Sequence, residues 1–187
     1  ECYAEIYRDG PPVGLLQVAQ EMGADPERIV AFHSLSKRSN LPGLRSGFVA
    51  AGPESIKAMK QLRNYAGSPL PMPLQHAAAA VWQDEAHVVE NRRLYGEKYR
   101  VADEILGNLP GYSSPEAGFF LWLPVADGEE ATVKLWQETG VRVLPGAYLG
   151  QEAGGVNPGK GYIRVAMVAE EQEMARGLNR LRDCLYG

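Results

Sequence analysis

The sequence predicts an α/β chain in two parts, the end of an α/β domain followed by a small α+β domain. Three observations carry this expectation. Two short apolar runs, Ile29–Phe32 and Phe48–Ala51, read as strands flanking a loop. A long, charged, helix-forming segment runs from Glu85 to Leu109. After Pro110 the pattern reads strand, helix, strand, strand, helix. The expected boundaries are therefore 1–84 for the first part, 85–109 for a bridging helix and 110–187 for the small part.

Each element has a local reason. Tyr3–Tyr7 reads as a strand end entering a loop, and Gly10-Pro11-Pro12 breaks it. Leu15, Leu16, Ala19 and Met22 share one helical face, closed by Gly23. Asp25-Pro26-Glu27 is a turn. Ile29–Phe32 is too short for a helix and reads as a buried strand. Gly47–Ala51 is the strand after the loop. Gly52-Pro53-Glu54 starts a helix with Pro in its first turn and Ile56, Met59 and Leu62 on its apolar side. Pro69, Pro71 and Pro73 interrupt the chain, and Leu74, Ala77, Ala78, Val81 and Trp82 then recur at helical spacing.

In the second half, Gly118–Leu123 is an aromatic-rich strand. Asp127 is placed to cap a helix over Glu129–Thr139, whose first turn is acidic and whose end is Gly140. Val141–Leu144 reads as a strand stopped by Pro145-Gly146, and the Gly-rich stretch 150–161 as a flexible loop. Tyr162–Val168 alternates as a strand. Met174, Leu178, Leu181 and Leu185 mark the apolar face of a closing helix.

Composition excludes several classes. The chain has 187 residues, 45% hydrophobic, with a formal net charge of −4. No basic face is evident, which argues against nucleic-acid or membrane partners. No apolar run approaches the ~20 residues of a membrane helix, and no signal peptide opens the chain. Cys2 and Cys184 do not make a disulfide scaffold, so a reduced, cytoplasmic protein is expected. His33, His76 and His87 show no metal-ligand spacing, so no metal site is expected. The start lacks Met, and Glu1–Tyr7 reads as the middle of a domain.

The chemistry gathers in the loop between the first two strands. His33-Ser34-Leu35-Ser36-Lys37-Arg38 is followed by Ser39-Asn40-Leu41-Pro42-Gly43-Leu44-Arg45-Ser46-Gly47. Loops on a rigid sheet are a common seat of function. A lysine attacks a carbonyl only when its pKa falls well below ~10.4, through desolvation or neighbouring cations such as Arg38 and Arg45. Arg45 offers a bidentate fork for phosphate, and Ser34 and Ser36 offer hydroxyls. Taken singly, Lys37 and Arg45 read as solvated surface charges. Their combination does not.

Ser34-Leu35-Ser36-Lys37 followed by Pro42-Gly43-Leu44-Arg45-Ser46-Gly47 resembles the pyridoxal-phosphate attachment signature of class I/II aminotransferases, of fold type I. The resemblance implies the C-terminal part of that family's large domain plus its small domain. It implies pyridoxal 5'-phosphate on Lys37 as a Schiff base, with Lys37 moving a proton between substrate Cα and cofactor C4′. It implies phosphate contacts from Ser34, Ser36 and Arg45, and Tyr3 bonding the cofactor's phenolic oxygen. Arg164, in Tyr162-Ile163-Arg164-Val165-Ala166, matches the arginine that clamps the substrate α-carboxylate. Without the family, Tyr3 is ordinary packing and Arg164 a partner of a local acid. The family aspartate that pairs with the pyridine nitrogen would fall one residue before Glu1. The chain is therefore expected to be a truncated portion, inactive alone and part of a homodimeric enzyme when complete.

The wording around Lys37 looks most like bacterial N-succinyldiaminopimelate aminotransferases of the lysine pathway, with amino-acid (glutamate) and 2-oxo-acid substrates. Aspartate-, alanine- and aromatic-type enzymes are the near alternatives. A non-catalytic interaction domain with an aminotransferase-like half-fold is the alternative of a different class. Ser34-x-x-Lys37 also fits the serine nucleophile of penicillin-binding enzymes, but Ser-Asp-Asn and Lys-Thr-Gly are missing. Gly159-Lys160-Gly161 lacks the spacing of a phosphate-binding P-loop.

Overall fold

The computed structural model describes residues 1–187 as two compact units, Glu1–Arg93 and Leu94–Gly187. The first holds helix α1 (Leu15–Glu21), strand β1 (Val30–Ser34), the helical turn α2 (Leu35–Arg38) and strand β2 (Gly47–Ala51). Helices α3 (Pro53–Arg63) and α4 (Met72–Gln83) follow. Helix α5 (Ala86–Leu106) starts in the first unit and ends in the second. It stops at Leu106, short of the expected Leu109, because the turn at Gly107 intervenes before Pro110.

Strands β1 and β2 pair antiparallel, with Val30 opposite Ala51 and Ser34 opposite Gly47. The expected buried strand at Ile29–Phe32 is a half-covered one, and Phe32 is 57% exposed. Two strands offer too little surface to cover the helices around them. Helices α1 and α3 bury no residue, and α4 buries only Ala78. The expected strand end at Tyr3–Tyr7 is a turn, with Ile6 N–H donating to Tyr3 O at 3.0 Å. Ile6, Ala31, Leu35 and Val88 form the small apolar core of this unit.

The second unit follows the expected order. It comprises β3 (Phe120–Pro124), α6 (Gly128–Thr139), β4 (Leu144–Pro145), β5 (Tyr162–Ala166) and α7 (Glu171–Tyr186). The sheet is antiparallel in the order β3-β5-β4. Asp127 Oδ1 accepts the N–H groups of Glu129 at 3.0 Å and Glu130 at 3.2 Å, as the capping expectation required. Leu121, Leu123, Leu135, Ile163, Leu178 and Leu181 fill the core between sheet and helices. Tyr95, Tyr99, Ala102 and Leu106 bury one face of α5 at helical spacing. Tyr95 stacks on Phe119 with centroids 5.6 Å apart.

Two expectations are corrected here. The strand at Val141–Leu144 is only Leu144–Pro145, because pairing with β5 begins at Leu144 opposite Arg164. The stretch 150–161 is not featureless. Asn157 staples it, with Nδ2 donating to Ala147 O at 2.9 Å and Oδ1 accepting Gly159 N–H at 2.9 Å. Gly146 and Gly159 meet backbone to backbone, and a Cβ on either would overlap the other's carbonyl oxygen. No helix is long and apolar enough to cross a membrane. Cys2 and Cys184 are free thiols.

Candidate active site

The loop that carries Lys37 is closed by the antiparallel pairing of Ser34 with Gly47. Strand β1 ends at Ser34, whose extended backbone lets its side chain cap the next turn. Ser34 Oγ accepts the Ser36 N–H at 3.1 Å and donates to Ser36 Oγ at 2.9 Å. The two hydroxyls are thus one connected pair. Lys37 follows one residue later on α2 and is half-buried. Leu35, its neighbour on the turn, is fully buried and anchors it, and Leu35 N–H donates to Ser46 O at 3.2 Å.

Arg45 returns the chain to β2. Its backbone lies in the left-handed region, φ 54°, which strains an L-residue other than glycine by roughly 1–2 kcal/mol. Its guanidinium is exposed, and Nη1 donates only to the Pro42 carbonyl at 2.8 Å. No carboxylate neutralises it. A charged fork with no acid partner, on the same connection as a pair of linked hydroxyls, has the chemistry to meet an anionic phosphate. Gly47 completes the closure: a Cβ there would overlap the His33 carbonyl oxygen. Only glycine lets the strands meet that closely where the loop ends.

Arg38 does not act as the neighbouring cation that the sequence suggested for Lys37. It is 6% exposed and turned into the unit. Its Nη2 pairs with Glu85, its Nη1 donates to Val81 O at 3.3 Å, and its guanidinium lies 4.9 Å from the Trp82 ring centroid. It is an anchor between the lysine turn and the end of α4. Tyr3 is 38% exposed, within the turn that opens the same unit. His33 packs as expected for a strand end, stacked on Phe48 at 4.8 Å.

Arg164 lies in the second unit, on the central strand, opposite Trp122 and Leu144. Its guanidinium sits over the Phe120 ring, 4.1 Å from the centroid, and pairs with no acid. A half-buried guanidinium on an aromatic face is held in place while its fork stays available.

Sequence reasoning missed a second polar group in the first unit. His87 bonds Asp84 and Ser39, each at 2.8 Å. The only signal for it was Asp84-x-x-His87 at a helix start, which places both side chains on one face.

The lysine turn with its linked serine hydroxyls lies in the first unit, and the arginine over the Phe120 ring lies in the second. The chain belongs to the aminotransferase class I and II family, whose profile matches residues 1–181. That family works with pyridoxal 5'-phosphate. A solved aminotransferase from Neisseria meningitidis is 42% identical, with a TM-score of 0.92, over 98% of this chain and 47% of that one. The 4-dedimethylamino-4-oxo-anhydrotetracycline transaminase OxyQ of Streptomyces rimosus is 36% identical over 97% of this chain and 49% of its own length. An LL-diaminopimelate aminotransferase of Dehalococcoides mccartyi is 29% identical over 96% of this chain and 45% of its own length. The chain thus spans about half the length of the curated relatives it matches.

Proposed function

We propose that the polypeptide containing this chain transfers an amino group between an amino acid and a 2-oxo acid, with pyridoxal 5'-phosphate held at Lys37. The observation that carries the reading is the closed loop itself: Lys37 one residue beyond linked Ser34 and Ser36 hydroxyls, with an acid-free Arg45 at the return. When bound, the cofactor supplies an electron sink for charge that develops at the substrate Cα. Lys37 Nζ would hold it covalently and then shuttle the proton at Cα. Ser34, Ser36 and Arg45 would grip its phosphate, and Tyr3 would bond its phenolic oxygen. Arg164 would orient the substrate through its α-carboxylate.

In this reading, residues 1–84 are the end of the cofactor-binding large domain, 85–109 the bridging helix and 110–187 the small domain. The complete protein is a cytoplasmic homodimer, and turnover needs residues beyond this chain. The proposed substrate is N-succinyldiaminopimelate with glutamate as the amino partner. The resemblance around Lys37 supports the succinylated substrate, and several relatives named LL-diaminopimelate aminotransferase support the diaminopimelate skeleton alone. Those same names support a second reading, an enzyme for the unsuccinylated diaminopimelate.

The test is a substrate screen on the full-length protein and its Lys37→Ala variant. The N-succinylated keto acid should be preferred to its unsuccinylated counterpart, oxaloacetate and pyruvate. Lys37→Ala should abolish turnover while cofactor still binds non-covalently. Retained turnover by that variant would end the assignment.

A further inference from the structure

Ser39 closes the turn that carries Lys37, its N–H donating to Leu35 O at 3.1 Å. It is 9% exposed. Its Oγ lies 2.8 Å from His87 Nε2, and His87 Nδ1 lies 2.8 Å from Asp84 Oδ2. Asp84 Oδ1 also accepts the Ala86 N–H at 3.0 Å, where α5 begins. The His87 bond first, then the Ala86 bond, holds the Asp84 carboxyl below the usual carboxylate range.

These bonds fix the protons. An ionised carboxylate only accepts, so His87 Nδ1 carries a hydrogen. In the neutral ring Nε2 is then the acceptor, and the Ser39 hydroxyl donates to it. Arg38 Nη1 lies 3.4 Å from the same Ser39 oxygen and donates to it. With the ring neutral, the chain has one polarity, from guanidinium to hydroxyl to imidazole to carboxylate. Its members match those of a hydrolytic Ser-His-Asp triad, yet the surroundings oppose nucleophilic work. The Ser39 oxygen is buried and already takes a hydrogen bond from Arg38.

We propose that Asp84, His87 and Ser39 form a positioning relay that ties the end of the Lys37 turn to the start of α5 and so fixes where the Lys37 amine can reach. The inference rests on the reading of Lys37 as the cofactor-bearing residue. Ser39 and His87 are positioning residues in this scheme, with Lys37 the group they act through. Arg38, Glu85 and Glu5 are the other charges that face the relay, through the Arg38 guanidinium.

The test uses the full-length protein. Nitrogen NMR of the apoprotein should show neutral His87 protonated on Nδ1. Loaded with cofactor, Ser39→Ala should shift the pH midpoint of the lysine-bound cofactor's absorption band by about half a unit or more. Its thermal midpoint should stay near that of the parent, and Ser39→Thr, which keeps the hydroxyl, should restore the band. Neutral His87 protonated on Nε2, or an unshifted band in Ser39→Ala, would overturn the relay. Labelling of Ser39 by a fluorophosphonate would overturn it in favour of a nucleophile. Borohydride trapping separates the two readings. No trapped cofactor on Lys37 in the parent protein refutes the Lys37 assignment and, with it, the relay's purpose, whereas trapping with an unshifted band refutes the relay alone.

Discussion

Replacing Arg38 by Met removes a guanidinium while keeping most of the stem that packs under it. The loss can be worked from its contacts. The bond to Val81 O, from a charged donor, is worth about 1.5 kcal/mol. Val81 O also accepts Asp84 N–H at 3.3 Å, so the carbonyl is not left orphaned. The pair with Glu85 is strong in geometry, but the Glu85 side chain is 64% exposed, so solvent screening holds it to about 0.5–1 kcal/mol. The placement over Trp82 adds about 0.5–1 kcal/mol. Arg38→Met should therefore destabilise the folded chain by roughly 2.5–3.5 kcal/mol. Urea unfolding followed by tryptophan fluorescence reads this as a lower midpoint at unchanged slope. Arg38→Lys, which keeps the charge but not the fork, should fall between the two. A loss under about 0.5 kcal/mol in Arg38→Met would show that the guanidinium is not the anchor described.

Three further outcomes are expected. Gly47→Ala drives a methyl into the His33 carbonyl and should lower stability by about 2–3 kcal/mol, weakening cofactor binding with it; an unchanged thermal midpoint refutes the close approach. Arg164→Lys keeps the charge and loses the fork, so the full-length enzyme's KM for amino and oxo acids should rise roughly 10-fold or more; unaltered substrate kinetics remove Arg164 from the site. The carboxyl of Glu27 accepts the Glu54 and Ser55 N–H groups where α3 begins, which lowers its pKa, as His87 lowers that of Asp84. A group depressed on folding stabilises the folded state above its unfolded pKa, near 4, and loses that contribution as pH falls through the folded value. Urea midpoints should therefore drop on the acid side of about pH 4, and Glu27→Gln should flatten that limb; an unchanged limb in the variant argues against the helix-capping role.

The sequence made the lysine loop legible because its parts are contiguous. Ser34, Ser36, Lys37 and Arg45 lie within one connection, and the strand at Gly47–Ala51 falls where the apolar run after the turn residues places it. The small unit was readable for a similar reason: Asp127, Gly140 and the Met174-Leu178-Leu181 face are local signals of helix start, stop and burial. What was not readable depends on partners distant in the chain. Arg38 looked like a cation for its neighbour Lys37, but Glu85 and Val81, over forty residues on, claim it. Ser39 and His87 meet across a similar span. Periodicity named the apolar faces of α1, α3 and α4 but not whether a two-stranded sheet could cover them.

Gly146 and Gly159 touch through main chain alone. A contact between side chains can be rebuilt by compensating substitutions, one larger and one smaller; this one has nothing to trade. The stretch between them can accordingly diverge at 151–156 while its points of departure and return stay locked. Evolution can redecorate that rim of the unit without shifting the strand on which Arg164 is mounted.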